Sequence, residues 1–187
     1  MKPQKKLAFE YVVFKLIEWF KSCMSQSTNM EFNASNDLSK LKVIKLHFFV
    51  TAINSKENNL LSIFDKFYAM PYGHVESDIY NDINEIERYI IDVSNLKIKE
   101  EFITTLEYSF STLDSIVKKE IDASIEALKL KDERFVLNSA TQLVEIGHTW
   151  YSWKNVFLFA RSQQRYSAPI PPHVIKEEEK FFSLNLL

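Results

Sequence analysis

Glycine is nearly missing from this chain. Two glycines and five prolines serve 187 residues, where average usage is about 7% and 5%. Hairpins and tight turns need positions of positive φ, which glycine fills at least cost. That scarcity argues against an all-β fold. It also excludes the glycine-dependent motifs: the nucleophile elbow, the P-loop and the dinucleotide fingerprint. Twelve asparagines are left to serve turns and caps.

Cysteine is rarer still. Cys23 stands alone, which rules out an intramolecular disulfide and a multi-cysteine metal site and fits a reducing compartment. No uncharged run approaches the roughly 18 residues of a membrane span. Lys2, Lys5 and Lys6 precede an apolar stretch, but Glu10, Lys15 and Glu18 interrupt it and no small-residue cleavage site follows. The expectation is a cytoplasmic protein with no membrane partner. A dominant charge sign is missing too, since the net charge is -2. Residues 1–45 carry eight lysines against four acids, and residues 46–101 carry five basic residues against ten acids. A basic N-terminal face is therefore available to an acidic partner or to phosphates, although surface lysines on helices give the same pattern.

What is present is helical periodicity. Phe9, Val12, Val13, Leu16, Phe20 and Cys23 recur at helix spacing over residues 5–24. A polar connector follows at 25–36, and Ser35, Asn36 or Asp37 is placed to cap a helix from Leu38 to Ile53. Lys40, Lys42 and Lys45 mark the expected wet side of that helix, and His47 lies in its apolar part. Residues 60–68 suit a short helix or a strand, and Pro71 ends either one. A long amphipathic helix is expected from Ser77 or Asp78, with Ile79, Ile83, Ile86, Ile90 and Val93 on one face. Its acidic face, Asp78, Asp82, Glu85 and Glu87, reads as solvated, because Ca²⁺ ligands usually come from a glycine-containing loop. A helix is expected through Ile98–Leu113 that either runs on or kinks near Ser111-Thr112 into Ile116–Leu128, and another through Phe135–Ile146, stopping near Gly147. An aromatic-rich helix follows from His148 to Ala160. Pro169-Ile170-Pro171-Pro172 imposes an extended connector before a last helix at about 174–184. The sum is a mainly α, single compact domain of seven or eight helices, with one short extended or hairpin segment near 60–75 left open. Residues 1–167 form the domain, and 168–187 form a Pro-containing connector with a short C-terminal helix packed on it.

Chemistry is sparse. His47, His74, His148 and His173 are scattered singly. A His–carboxylate pair arises only through the fold, as His74 with Glu76 or Asp78, or His148 with Glu145. No catalytic residue, metal site or cofactor is expected. Trp150 and Trp153 with Arg161 and Arg165 suit a base-stacking patch, a protein-binding hot spot or plain core packing.

Four segments resemble a known family. Val43-Ile44-Lys45-Leu46-His47-Phe48-Phe49 looks like the Lys-Leu-x-Tyr-Phe helix of the Panacea domain family, also called SocA-like or phage-associated GepA-like. Leu61 to Val75 resembles that family's pattern of Leu-Phe, an acid, Phe, x, Ala and then Gly-Pro-Val, with Gly73-His74-Val75 standing where the family has Gly-Pro-Val. Tyr80 falls where the family has a tyrosine after the turn. His148 to Lys154 resembles its His-to-Trp-Lys helix, and Pro169 to Ile175 its closing segment. The match spans about residues 7–182. Such proteins are antitoxins that neutralise a toxin by direct binding, one type acting as a protease adaptor. The resemblance thus implies a non-enzymatic binding protein whose partner is a toxin from a neighbouring gene. It makes Tyr68, Tyr72, Gly73, His74, Tyr80, His148, Trp150 and Trp153 the signature turn or candidate partner surface. The alternative is a nucleic-acid-binding regulator that uses the basic N-terminal helices. A third reading is an enzyme built on His74 or His148.

Overall fold

A computed structural model describes residues 1–85, 89–91, 96–98 and 110–183. Nine α-helices among these residues surround a small antiparallel sheet, so the protein is mainly helical with a short hairpin. Helix α1 (Pro3–Cys23) starts with proline in its first turn, where the missing N–H costs nothing. It buries the stripe Ala8, Phe9, Val12, Val13, Leu16, Ile17, Trp19 and Phe20. A fully buried Phe contributes about 2–3 kcal/mol by the area it removes from water, so this stripe alone anchors the helix firmly.

The connector at 25–36 is less irregular than its polar composition suggests. It holds helix α2 (Asn29–Ser35). Thr28 Oγ1 accepts from the Glu31 amide at 3.2 Å, and Glu31 Oε2 accepts from the Thr28 amide at 2.9 Å. This reciprocal capping box is enough to nucleate one short helix.

Helix α3 (Lys40–Ile53) is the central element, capped by Ser39 rather than by Ser35, Asn36 or Asp37. It is apolar around most of its circumference, as expected of a helix buried on several sides. It packs against α1, the hairpin and two later helices. The expected wet side is wrong for two of its three lysines. Lys42 is 0% and Lys45 2% exposed, because the neighbouring elements cover that side as well. Lys42 Nζ donates to Asp37 Oδ1 at 2.6 Å.

A single turn of helix, α4 (Leu60–Ile63), leads into the hairpin of β1 (Phe67–Met70) and β2 (Gly73–Glu76). Pro71 and Tyr72 make the connection, and Gly73 takes φ 96°, the left-handed position that favours glycine. The chain has spent one of its two glycines here for that reason.

Helix α5 (Ser77–Asp82) is short, and a 3₁₀ turn (Ile83–Glu85) ends it. The long helix expected through Val93 is not formed, since Tyr89–Ile91 is strand β3, paired with β4 (Leu96–Ile98). The isoleucine spacing fits a helix, but the contiguous Tyr89-Ile90-Ile91 is β-branched and aromatic and suits a strand. Ile86 and Val93 lie outside the described residues, as do Phe102 and Leu106 of the next expected helix. Ile98 ends β4, and Phe110–Leu113 form a turn.

Helix α6 (Ser115–Lys131) is capped by Asp114, whose carboxylate accepts from the Ile116 amide. After a 3₁₀ turn (Phe135–Leu137) come α7 (Ala140–Thr149) and α8 (Tyr151–Ser162). Gly147 lies within α7 and does not end it. The connector then adds strand β5 (Ala168–Pro169) to β1, giving the order β2-β1-β5. Pro169 sits on an edge strand, where a missing N–H is tolerated. Helix α9 (Pro172–Glu177) is shorter than expected, and residues 178–183 continue without helix as an arm.

Candidate functional site

The hairpin turn, α3 and the α7–α8 junction meet around one imidazole. His74 is 1% exposed. Its ring lies flat on Phe48 and edge-on to Trp150 at 6.0 Å. Its Nε2 is hydrogen-bonded to Ser152 Oγ at 2.7 Å. Lys45 Nζ donates to the His74 carbonyl oxygen at 2.9 Å. His148 stacks on Trp153 at 3.7 Å, and Trp153 Nε1 donates to the Met70 carbonyl oxygen at 2.8 Å. Lys45 and Phe48 come from α3, His148 from α7, Trp150 from the junction, and Ser152 and Trp153 from α8, so the hairpin is held by three helices.

Burial disfavours the charged form of all three bases. Burial lowers Lys45 to about 7, and no carboxylate among the described residues raises it again. His74 is pushed well below its ordinary value by burial, then by Lys45 and His148. His148 is lowered by burial and by Lys45, while a bond with the Pro71 backbone pulls the other way. Three basic groups sharing an apolar site disfavour one another's charge. Two buried nitrogens, His74 Nδ1 and His148 Nε2, have no hydrogen-bond partner among the described residues.

Of the expected residues, Gly73, His74, His148, Trp150 and Trp153 are brought together. Tyr72 lies at the turn, 68% exposed. Tyr68 is half-buried on β1, opposite Val75 and Pro169. Tyr80 stands apart on α5, under the ammonium of Lys40 at 4.8 Å from the ring centroid.

The carboxylates next to His74 in sequence do not serve it. Glu76 Oε1, Asp65 Oδ1 and Asp78 Oδ2 converge on Lys5 Nζ at 2.7, 2.6 and 2.9 Å. Burial alone lowers the Lys5 pKa, but the three bonds outweigh it and raise it above its ordinary value. The three acids have the spacing of a cation site, and the ammonium of Lys5 stands in its centre. Asp82 meanwhile accepts from the Met1 terminal ammonium at 2.5 Å. The acidic face expected to be solvated is thus partly turned to ion pairs.

Two members escaped the sequence reading. Both lie inside the segments 43–49 and 148–154, but helix spacing makes Lys45 look like a surface lysine, and nothing in the sequence marks Ser152 as a partner of His74. Glu178 is the third surprise. Its Oε2 accepts from the Ser152 amide at 2.8 Å, capping α8, whose own N-cap side chain makes no such bond. Burial raises the Glu178 pKa, and the Ser152 bonds offset part of that rise. His47 is fully buried among Phe9, Phe64 and Phe67, with both ring nitrogens unpartnered among the described residues, and burial lowers it to about 3. His173 is exposed beside a cleft of about 470 Å³ that Ser55, Asn58, Asp65 and Lys176 also line.

Compared with protein-family models, curated proteins and solved structures, the chain matches none. No helix among the described residues is long and apolar enough to cross a membrane.

Proposed function

We propose that this protein is a non-enzymatic binding module of the antitoxin kind, which neutralises a toxin from a neighbouring gene by direct contact. The observation that carries the reading is the outer stripe of α8. Tyr151, Leu158 and Phe159 are exposed, Phe159 to 64%. They stand seven and eight residues apart and so share one helix face. The opposite side of α8 packs on β1 through Trp153. Large apolar side chains in a row on a helix surface mark a protein contact more often than bare solvent. Lys154, Arg161 and Arg165 are exposed beside them, which suits a partner surface that mixes apolar and acidic groups. The resemblance of residues 43–49, 61–75, 148–154 and 169–175 to the Panacea domain family gives the partner class. Delivery of the toxin to a protease is a further step of the same proposal.

The burial pattern favours this over the nucleic-acid reading. Lys5, Lys42 and Lys45, three of the eight N-terminal lysines, are buried, and Lys15 is paired with Asp122. That leaves a diluted basic face for phosphates. A salt-dependent gel shift would restore the nucleic-acid reading.

The test is co-expression with the adjacent reading frame. The expected result is relief of toxicity and a co-purifying complex, both lost on Phe159→Glu with helix content intact by circular dichroism. A neighbouring product that neither binds nor is relieved of toxicity overturns the proposal.

A further inference from the structure

The cleft beside His173 takes no part in the site around His74. It opens between the chain from Ser55 to Asp65 and the helix α9. Its volume, about 470 Å³, lies within the range of about 300–1,000 Å³ that small molecules occupy. The polar groups that line it fall into two sets. One set is engaged and fixes the shape of the wall. Asn58 Oδ1 accepts from the Leu60 amide at 3.2 Å, and Asn58 Nδ2 donates to Ser124 Oγ at 3.2 Å. Ser62 Oγ donates to the Asn59 carbonyl oxygen at 2.7 Å. Asp65 Oδ1 accepts from Lys5 Nζ at 2.6 Å, so its charge is matched from the protein side.

The other set stands ready. Ser55 is 1% exposed, and its Oγ is buried with no hydrogen-bond partner among the described residues. A buried hydroxyl without a partner destabilises the fold that holds it, and rotation about χ1 alone re-aims a serine oxygen. The Asn59 side chain makes no cap bond to α4 and is exposed. On the opposite wall, His173 and Lys176 stand three residues apart on α9 and share one face. Both are exposed and make no ion pair among the described residues. Lys180 Nζ donates to the Lys176 carbonyl oxygen at 3.1 Å, which brings a second ammonium next to the first. Burial and then Lys56 lower the Lys180 pKa, while Glu178 and Glu177 act against them. Neither of those two acids lines the cleft.

The two walls therefore differ in chemistry. The α9 wall offers an imidazole and an ammonium to an anion, for which a phosphate is well matched. The other wall offers hydroxyl, carboxamide and carboxylate groups, and a carboxylate already bonded once still accepts from a hydroxyl. We infer that this cleft is a binding site for a small phosphorylated polyol of the sugar-monophosphate class, with the phosphate at His173 and Lys176 and the sugar hydroxyls at Ser55, Asn59 and Asp65. The site shares no residue with the exposed stripe of Tyr151, Leu158 and Phe159, so it stands or falls independently of the toxin-binding reading.

The experiment titrates the isotope-labelled full chain with the monophosphates of glucose and ribose, with the two free sugars and with inorganic phosphate, and follows the backbone amide resonances. At least one sugar monophosphate is expected to move the amides of Ser55, Asn59 and Lys176, and to bind about tenfold more tightly than its free sugar or inorganic phosphate. Lys176→Gln, on an exposed side chain, is expected to weaken that binding about tenfold. Ser55→Ala is expected to weaken it about fivefold while the urea midpoint of the free protein stays level or rises, because the hydroxyl removed has no partner there. A serine with a purely structural role would lower the midpoint instead. The inference is overturned if neither monophosphate moves these amides at about 10 mM, or if Lys176→Gln binds as the parent does. Inorganic phosphate binding as tightly as the esters overturns it as well.

Discussion

The imidazole of His74 lies parallel to the ring of Phe48, with centroids 3.7 Å apart and planes 8° from parallel. A strand residue of the hairpin is thereby stacked on the central helix. The contact is buried, so the hairpin is part of the core and not an appendage to it.

Removing that imidazole opens a cavity against Phe48 and Trp150 and frees Ser152. His74→Ala is expected to cost about 3 kcal/mol, the range for truncating a large buried ring. Urea unfolding measures it, and a midpoint within error of the parent contradicts the clamp.

Lys45 makes stability depend on pH in the alkaline direction. Its folded-state pKa, about 7, lies below the unfolded 10.5. Between those values the unfolded chain holds a proton that the folded chain has released. Stability therefore rises with pH through that window, with a slope approaching about 1.4 kcal/mol per pH unit, and the gain is absent below pH 7. Unfolding free energies at pH 7, 8 and 9 are expected to climb more steeply for the parent than for Lys45→Met. Parallel profiles would remove the effect.

Glu76 and Lys66 separate a buried ion pair from an exposed one. Glu76 is 1% exposed and also accepts from the amides of Lys66 and Ile79. Glu76→Gln leaves the buried ammonium of Lys5 under-compensated, at a cost of about 3 kcal/mol. Lys66, bonded to Asp78 at 3.0 Å from the surface, is expected to contribute less than about 1 kcal/mol when replaced by alanine. Thermal unfolding of the two variants compares them directly, and similar losses would refute the distinction.

Gly73 has two reasons to stay glycine. Its φ is 96°, and a Cβ there would meet Lys45 Nζ at 3.3 Å. Gly73→Ala is expected to cost about 1–3 kcal/mol through backbone strain. It also shifts the lysine, so the pH slope of Lys45 should change with it. The same urea series at two pH values reads both, and an unchanged slope would separate the turn from the lysine.

The sequence marked the turn through Pro71 and Gly73, since a chain with so few breakers places them where the backbone demands them, but it left residues 60–68 open between a short helix and a strand. Helix α1 was legible because its apolar residues repeat with one period. Lys45 was not. A lysine at helix spacing reads as surface, and only the packing of β2 against α3 encloses it. Glu178 was not legible either, because its partner Ser152 is 26 residues away and joined only through the fold. The strand Tyr89–Ile91 was hidden by isoleucines that happen to repeat at three and four. In each miss a tertiary contact outweighed the local pattern.

Strand β5 joins β1 through Tyr68 and Pro169, residues about 100 positions apart in the chain. A ribosome adds roughly 5–20 residues per second, so β1 waits on the order of 5–20 s for its second neighbour. During that interval it has a hairpin partner on one side and an open edge on the other, the kind of edge that recruits foreign strands. The connector that closes it is thus a late-arriving cover, and a nascent chain halted before residue 168 exposes what the finished protein conceals.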